Sequence, residues 1–376
     1  MAHLALVGPF YPYRGGIAHF LVAMHHGLAA RGHTVDAYTF TRQYPEVLFP
    51  GKTQLVDGPN TSGVDAAPTL DTVGPLSWKR TADRIVDSGA EAVVFKYWMP
   101  FLAPSFGTMA RRLRKRGVRV VAVVDNAIPH ERRPGDHALS RYVLNACDGL
   151  LVMSDQVRRD LGTLGVDKPV RQVRHPVYDS FGDAIPKADA RERLGLDLDA
   201  PTFLFFGFIR KYKGLHTLLD AFPHVLRKLP GARLVVAGEF YGDEAEYREQ
   251  VERLGLVNAV RFDADYIADE AVGAYFCASD AVVQPYVTAT QSGVAQIAFH
   301  FGRPVITTDV GGLAEAVPDG EAGLVVPPEN PEALATVMVR YVEEGLEERF
   351  IAGVRRERAT YSWDHVYDAL ETLIAP

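Results

Sequence analysis

The chain has 376 residues, of which 47% are hydrophobic and 23% are charged, and this is typical of a folded globular protein with room for two domains. Its 40 Lys and Arg residues against 47 Asp and Glu residues give a net charge of −7, which argues against general nucleic-acid binding. The two cysteines, Cys147 and Cys277, each stand in an apolar stretch, which excludes a disulfide framework and indicates buried thiols in a reducing compartment.

The first residues, MAHLALVGPF, predict a strand rather than a targeting segment, because no basic region precedes the short apolar run. No apolar run along the chain approaches the roughly 20 residues that a membrane-spanning helix needs. We therefore expect a cytoplasmic protein, and peripheral contact with the inner face of a membrane stays open.

Short apolar runs alternate with amphipathic segments of helical length through the first half of the chain. The predicted strands cover residues 3–7, 35–39, 92–95, 118–124 and 149–153, and the predicted helices cover 17–30, 78–88, 104–116 and 138–145. This alternation indicates a parallel sheet with helices on both faces.

The alternation begins again after residues 176–200, which are rich in Pro, Asp, Gly and Ala and are interpreted as a linker with one short helix. Strands are predicted at 202–206, 233–237, 260–262, 281–283, 304–307 and 323–326, and helices at 215–228, 243–254, 269–277, 293–300, 331–344 and 361–374. The sequence therefore predicts an α/β fold of two doubly wound, Rossmann-like parallel-sheet domains facing a deep cleft, where ligands bind at the carboxyl ends of the strands.

Two glycines, Gly15 and Gly16, stand where the loop after the first strand meets the first helix. Glycine lets a phosphate approach the backbone closely, and the free N–H groups at a helix start attract anions. An ordinary strand–helix turn is the alternative. The pattern is not GxGxxG, which argues against a nicotinamide-dependent enzyme.

The sequence GFIRKYKG at residues 207–214 places three cations and two glycines between a strand and a helix. The cations and the amino end of the following helix are both positive and repel each other. An anion bound between them would remove this repulsion. Arg210 would bind a nucleoside diphosphate through two parallel hydrogen bonds of its guanidinium, and Lys213 through the charge of its ammonium group. A solvated basic turn is the alternative.

Two further junctions between a strand and a helix carry polar or glycine-rich turns. In one of them, Thr290, Gln291 and Ser292 offer hydroxyl, amide and backbone N–H groups to an anion, although a residue that only caps the helix gives the same pattern. In the other, the paired glycines at 311–312 indicate close backbone approach. Glu315 follows them and either bonds a sugar hydroxyl or faces solvent at a helix start.

In combination, these motifs resemble the GT-B glycosyltransferases of the group 1, or family 4, type. The residues that carry the resemblance are Gly207, Lys213-Gly214, Leu218-Leu219, Ala237-Gly238-Glu239, Asp280, Gly302-Arg303-Pro304-Val305, Gly311-Gly312, Glu315, Gly320, Gly323 and Tyr361-Ser362-Trp363. The resemblance covers nearly the whole chain and is stronger in the second half than before residue 150. It implies an acceptor-binding domain at 1–178, a linker at 179–200, a nucleotide-sugar-binding domain at 201–358 and a helix within 359–376 that crosses back to the first domain.

The resemblance implies a retaining glycosyltransferase that moves a sugar from a nucleoside diphosphate sugar to an acceptor hydroxyl, without a metal or other cofactor. The acceptor would be a glycan, a lipid-linked sugar or a small metabolite. Arg210 and Lys213 would stabilise the charge that develops on the leaving diphosphate. The donor contacts that the resemblance implies are Gly15, Gly16, Gly207, Gly238, Glu239, Tyr266, Ile267, Thr290, Gln291, Ser292, Gly293 and Glu315.

The chain departs from the family pattern at the donor site. Much of the family has two glutamates at the positions that Ala289 and Ile297 occupy here. The chain is similar to a branch with Ala-Thr-Gln-Ser-Gly at this point, in which Gln291 and Ser292 would take over donor contacts. Recognition of the sugar and of the ribose must then differ from the common scheme.

A second departure concerns the reacting sugar. Asp125 stands where related chains often have a histidine, and it could bond a sugar hydroxyl or accept a proton. His130, five residues on, is a second candidate for catalysis, although it equally fits a role in packing the loop. Proton transfer to the donor phosphate itself is a third alternative.

Three alternative functions stay open. A nucleotide-sugar epimerase and a sugar-phosphate synthase of the same fold would share the cleft but act on a different partner, and the departures suggest a catalytically weak subunit that binds a sugar nucleotide. Asp263-Ala264-Asp265 resembles the DxD of metal-dependent transferases, but is interpreted as a turn at a strand end. The basic residues at 111–116 indicate either a solvated helix end or a surface that docks on anionic lipid.

Overall fold

The computed structural model describes residues 1–45, 53–56, 58–129, 133–178 and 181–375. The chain divides into two compact units, one formed by Met1–His175 with Trp363–Pro376 and the other by Pro176–Ser362. The first unit therefore takes its last helix from the far end of the sequence. Residue His130, one of the predicted catalytic candidates, lies outside the described residues.

One parallel sheet forms the centre of the first unit. Its strands are β1 (His3–Val7), β2 (Thr34–Arg42), β3 (Ala67–Asp71), β4 (Ala92–Tyr97), β5 (Arg119–Val124), β6 (Gly149–Val152) and β7 (Val170–Gln172). Their order across the sheet is β3-β2-β1-β4-β5-β6-β7, and each neighbouring pair is parallel. The order reverses between β1 and β4, and in open α/β sheets such a reversal is where ligands bind.

Helices cover this sheet. They are α1 (Gly16–Ala30), α2 (Pro75–Asp87), α3 (Ala103–Arg114), α4 (Asp136–Leu144), α5 (Asp155–Thr163) and the C-terminal helix (Trp363–Ile374). All six residues of β4 are buried, and so are five of the six in β5. Such continuous burial is expected of strands that are covered on both faces, and it explains their Val-rich sequences.

The second unit contains a parallel sheet of the same kind. Its strands are β8 (Thr202–Phe206), β9 (Arg233–Ala237), β10 (Val260–Asp263), β11 (Ala281–Gln284), β12 (Val305–Thr308) and β13 (Gly323–Val326), ordered β10-β9-β8-β11-β12-β13. Its helices are α6 (Lys187–Leu194), α7 (Leu215–Lys228), α8 (Glu244–Arg253), α9 (Asp269–Ala278), α10 (Gly293–His300), α11 (Leu313–Ala316), α12 (Pro331–Glu343) and α13 (Glu347–Arg358). The order reverses between β8 and β11, so the equivalent ligand position lies at the carboxyl ends of these two strands.

Ion pairs attach the start of the second unit to its core. The guanidinium of Arg191, which is 3% exposed, donates to Asp280 Oδ2 over 2.8 Å and to the Ala278 carbonyl over 3.0 Å. Lys187 Nζ donates to Asp280 Oδ1 over 2.6 Å and pairs with Glu347. These contacts hold α6, the one short helix predicted within residues 176–200, against the core of the second unit.

The predicted fold class is confirmed, since both units are α/β structures with parallel sheets. Each predicted strand and helix is present within a few residues of its predicted bounds. The prediction omitted β3, β7, α5, α11 and α13. None of the helices in the described part of the chain combines the length and the apolarity that a membrane crossing requires.

The C-terminal helix packs closely on α1 at one glycine. A Cβ at Gly27 would overlap the hydroxyl and ring carbons of Tyr367, which is 7% exposed and donates to the Ala23 carbonyl over 3.2 Å. The absence of a side chain at Gly27 is therefore a packing requirement.

We predict that Gly27→Ala destabilises the first unit by about 1–3 kcal/mol, because overpacking outweighs the gain in helix propensity of about 1 kcal/mol. Gly162→Ala is the matched control, since Gly162 lies in α5 and a Cβ there has no neighbour within 4 Å. Urea unfolding of both variants measures the difference. A Gly27→Ala protein as stable as the Gly162→Ala protein would contradict the packing role.

Candidate functional site

In the second unit, the loops after β8 and β9 lie directly against each other. The backbone of Gly207 has a φ of +96° and that of Gly238 a φ of +140°. A Cβ at Gly238 would overlap the Gly207 carbonyl group, and Gly207 N donates to the Ala237 carbonyl over 2.9 Å. Both glycines are therefore required by the backbone, Gly238 by close approach as well as by its conformation.

The basic turn that follows is fixed at both ends. After Arg210 comes one turn of 3₁₀ helix at Lys211–Lys213, in which Lys213 N donates to the Arg210 carbonyl over 2.9 Å. Gly214 has a φ of +71°, and a Cβ there would overlap the carbonyl oxygen of Pro285, which follows β11. The turn is thus seated against the carboxyl end of β11, and α7 starts immediately after it.

Lys213 directs its ammonium group towards the first glycine of the motif. Its Nζ lies 3.3 Å from where a Cβ of Gly207 would stand and 5.7 Å from the ring centroid of Tyr286. Burial of the ammonium group and the neighbouring positive charge of Arg210 lower the pKa of Lys213 to about 7. Within the described part of the chain, neither Arg210 nor Lys213 forms an ion pair.

The amino end of α10 lies beside the same glycine. Val294 Cγ2 stands 3.5 Å from the Cβ position of Gly207. Ser292 precedes the helix, but its hydroxyl accepts from Gln284 Nε2 over 2.8 Å and does not cap a helical N–H. The positive end of the helix dipole and the Lys213 ammonium therefore lie beside the same glycine, which is an arrangement that favours an anion.

The loop after β12 completes this surface. Gly311 has a φ of +51°, and a Cβ there would overlap the Ala289 carbonyl oxygen. The next residue, Gly312, donates through its N–H to the Thr290 carbonyl over 3.1 Å. Ala289 is 7% exposed and packs in an apolar cluster with Tyr286 and Leu313. Glu315 is exposed on α11.

Aromatic rings extend the site along the ends of β8, β9 and β10. The ring of Phe208 lies 4.5 Å from that of Tyr241 and 6.2 Å from that of Tyr266, measured between centroids. The Arg210 guanidinium lies 5.6 Å from the Tyr241 centroid. Sequence reasoning selected Tyr266 but missed Phe208 and Tyr241, although an aromatic residue directly after Gly207 was the available signal.

Two further residues that were predicted to bind the donor sugar nucleotide, Glu239 and Ile267, are close in sequence to these aromatic residues. Glu239 is 1% exposed, and its carbonyl accepts from Ile209 N over 2.8 Å. Ile267 follows Tyr266 and is half-buried. The structure thus gathers the second-unit candidates at the carboxyl edge of one sheet.

The predicted residues of the first unit form a separate group. Gly15 has a φ of +102° and immediately precedes α1, which begins at Gly16. Asp125 follows β5, and its Oδ1 accepts from Lys96 Nζ over 2.7 Å. Burial lowers the pKa of Lys96, while Asp125 opposes that shift. Sequence reasoning missed Lys96, although a lysine inside the apolar run VVFKYW was a visible exception.

Two other sequence features are engaged in contacts within the protein. Asp263, from the DxD-like triplet, accepts from Arg261 Nε over 2.8 Å and from the Tyr275 hydroxyl over 2.7 Å. Burial and this hydrogen bond raise the pKa of Tyr275 to about 12. In the basic segment at 111–116, three arginines contact neighbouring groups, namely Arg111 with the Tyr142 ring and carbonyl, Arg112 with Asp83 and Arg114 with Asp148.

Two family models match the chain one after the other. A model described as "Glycosyl transferase 4-like domain" matches residues 15–176, and a model described as "Glycosyl transferases group 1" matches residues 200–344. The first match falls almost entirely in the first unit, and the second lies within the second unit.

Curated relatives carry the name D-inositol 3-phosphate glycosyltransferase. The protein of that name from Streptomyces bingchenggensis is 32% identical over 59% of this chain and 51% of its own length. This chain thus spans about half the length of that relative. The protein of the same name from Thermomonospora curvata is 29% identical over 95% of this chain and 89% of its own length.

Solved structures with the same fold include a sucrose-phosphate synthase from Thermosynechococcus elongatus, with a TM-score of 0.77 and 22% identity over 99% of this chain and 97% of that chain. The Anabaena protein Alr3699/HepE in complex with UDP-glucose gives a TM-score of 0.78 and 17% identity, over 98% of this chain and 99% of that chain. A match to a glycosyl transferase 4-like domain is thus followed by a match to a group 1 glycosyl transferase domain, and the two parallel-sheet units have the GT-B fold of these solved structures.

Proposed function

We propose that the chain transfers a sugar, with retention, from a nucleoside diphosphate sugar to an acceptor hydroxyl. The observation that carries this proposal is the position of Arg210 and Lys213 in the second unit. Both lie at the turn beside the amino end of α10, and no described carboxylate pairs with either cation. A diphosphate supplies the negative charge that this surface favours.

The same two cations provide the chemical assistance. When the bond between the sugar and the diphosphate breaks, negative charge develops on the leaving oxygen. Arg210 and Lys213 stabilise that charge more in the transition state than in the bound donor, which lowers the barrier. This electrostatic assistance supports our proposal that the reaction needs no metal ion or other cofactor.

The rest of the donor is assigned by position. Phe208, Tyr241 and Tyr266 present ring faces on which a nucleobase can stack, and Glu239 with Ile267 lies next to them in the chain. We assign the sugar and its phosphates to the loop formed by Thr290, Gln291, Ser292 and Gly293, with Glu315 nearby. Because Ala289 and Ile297 are apolar and buried, their positions provide no carboxylate for the sugar.

The first donor and acceptor to test follow from the comparisons. A neighbour of the same fold was solved with UDP-glucose, and curated relatives are named D-inositol 3-phosphate glycosyltransferases. UDP-glucose and D-inositol 3-phosphate therefore head a panel that also contains GDP-, ADP- and dTDP-sugars and, as acceptors, glycans and lipid-linked sugars. A lipid-linked acceptor would also give a role to the peripheral membrane contact that the basic segment at 111–116 suggested.

A thermal-shift screen against this panel tests donor binding, because a ligand of the native state raises the melting temperature. We expect one class of nucleotide sugar to stabilise the protein and to release its nucleoside diphosphate when acceptor is added, with no loss of rate in EDTA. An epimerised free nucleotide sugar formed without acceptor would favour an epimerase instead. Transfer to a sugar phosphate alone would favour a synthase, and binding without any turnover would favour a catalytically weak subunit, the reading suggested by the two buried apolar residues.

We predict that Lys213→Ala weakens binding of the stabilising donor by about 10- to 100-fold, the effect of losing a hydrogen bond to a charged group. Lys211→Ala is the control, because Lys211 lies in the same 3₁₀ turn but is exposed. Isothermal titration calorimetry gives both affinities. Equal affinities for the two variants would refute the diphosphate role of Lys213.

Donor binding should also take up a proton above neutral pH. The pKa of Lys213 near 7 leaves the amine mostly neutral at pH 8, and a bound diphosphate raises that pKa by favouring the charged form. The affinity should therefore be constant below pH 7 and fall as the pH rises above it.

Calorimetry of UDP-glucose, or of whichever donor stabilises most, at pH 8 in buffers of different ionisation enthalpy measures this uptake. We expect close to one proton per donor for the wild type. Lys213→Arg should bind without uptake, since arginine stays protonated throughout this range. The same uptake in the Lys213→Arg protein would show that the proton goes elsewhere.

A further inference from the structure

Lys96 is a buried cation inside the central strand of the first unit. It occupies the last but one position of β4 and is 1% exposed. Its Nζ donates to Asp125 Oδ1 over 2.7 Å and lies 3.5 Å from the ring centroid of Phe20 on α1. The ammonium is thus enclosed between a carboxylate and an aromatic face.

Folding stability alone does not account for this pair. Removing an ammonium and a carboxylate from water costs several kcal/mol per ion, and buried ion pairs can often be replaced by apolar residues without loss of stability. The two members are also buried to different extents. The side chain of Asp125 is 12% exposed and that of Lys96 is 1% exposed, so the carboxylate is the member that reaches the surface.

The pair lies at the reversal of strand order in the first sheet. A Cβ at Gly8, which follows β1, would stand 3.3 Å from Lys96 Cβ, and Asp125 N donates to the Tyr97 carbonyl over 2.9 Å. Phe20 is on α1, directly after the turn at Gly15. Lys96 is therefore surrounded by the β1–α1 connection and by the ends of β4 and β5, where sheets of this type bind their ligands.

We propose that Lys96 is a positioning residue that holds the Asp125 carboxylate ready to bind the acceptor hydroxyl. This role rests on the proposed glycosyltransferase function and assigns to the first unit its part in that reaction. The carboxylate accepts a hydrogen bond from the hydroxyl and orients its oxygen, while the ammonium fixes the carboxylate from the buried side.

The step is balanced without a further reactant. The acceptor oxygen forms a bond to the anomeric carbon, and the bond from that carbon to the diphosphate oxygen breaks, with its electron pair leaving on the diphosphate. The hydroxyl proton is transferred to the departing diphosphate, which gains negative charge as the bond breaks. Asp125 thus acts by orientation, and Lys96 acts through Asp125.

The test compares Lys96→Met, Asp125→Asn and the double variant with Arg112→Met, which removes a cation from an ion pair elsewhere in the same unit. Circular dichroism checks the fold, and calorimetry gives the affinity for the nucleotide sugar that stabilises the wild type most. Release of nucleoside diphosphate at saturating donor is then measured with water and with D-inositol 3-phosphate as acceptors.

We expect both single variants to release diphosphate about 10- to 100-fold more slowly than the wild type, with donor affinity within about twofold. The double variant should be no slower than the worse single variant, because the two residues act as one unit. Arg112→Met should match the wild type.

Folded single variants with wild-type turnover, or losses that multiply in the double variant, would overturn the proposal. If Lys96→Met does not fold, Asp125→Asn decides alone, since wild-type turnover in that variant excludes the role of the carboxylate. A wild type that binds no nucleotide sugar, or binds one without releasing diphosphate, would instead refute the proposed function, and this role would fall with it.

Discussion

The candidate site of the second unit depends on close contact between loop backbones. At three places a glycine lies so near a carbonyl group of another loop that no side chain fits between them, and these contacts pair Gly238 with Gly207, Gly214 with Pro285 and Gly311 with Ala289. Each contact joins the loop after one strand to the loop after another. The loops at the carboxyl ends of β8, β9, β11 and β12 thereby form one small surface. These contacts also fix the turn that carries Arg210 and Lys213.

Each unit contains a lysine withdrawn from solvent, and the surroundings of these two lysines differ in charge. In the second unit, burial of the ammonium group and the neighbouring charge of Arg210 lower the pKa of Lys213, and no described carboxylate pairs with it. In the first unit, Lys96 has a carboxylate at 2.7 Å and an aromatic face on its other side. A cation without a carboxylate partner, such as Lys213, is suited to binding a negatively charged ligand. A cation already paired with a carboxylate, such as Lys96, can instead orient that carboxylate.

Local patterns were sufficient to predict the sheets and the glycine-rich turns. Continuous apolar runs indicate buried strands, and glycines indicate turns whose backbone needs a positive φ. The strand β3 was missed because its sequence APTLD contains Pro and Asp, which are uncommon in strands. The strand β7 was missed because three residues are too few to form a recognisable apolar run. The residues that contact Lys96 and Phe208 come from distant parts of the chain, so these contacts could not be predicted from any short segment of the sequence. The same holds for Lys187 and Arg191, whose partner Asp280 lies more than 80 residues away in the chain.

The C-terminal helix has a consequence for the order in which the protein can fold. Domains generally fold as they emerge during synthesis, the first one earliest. Here the helix at Trp363–Ile374 packs on α1 and contacts β5 and β6 of the first sheet, yet it is made after the whole second unit. The nascent first unit therefore carries an uncovered apolar face throughout synthesis of the second, and its sheet is fully covered only when the last helix has been made.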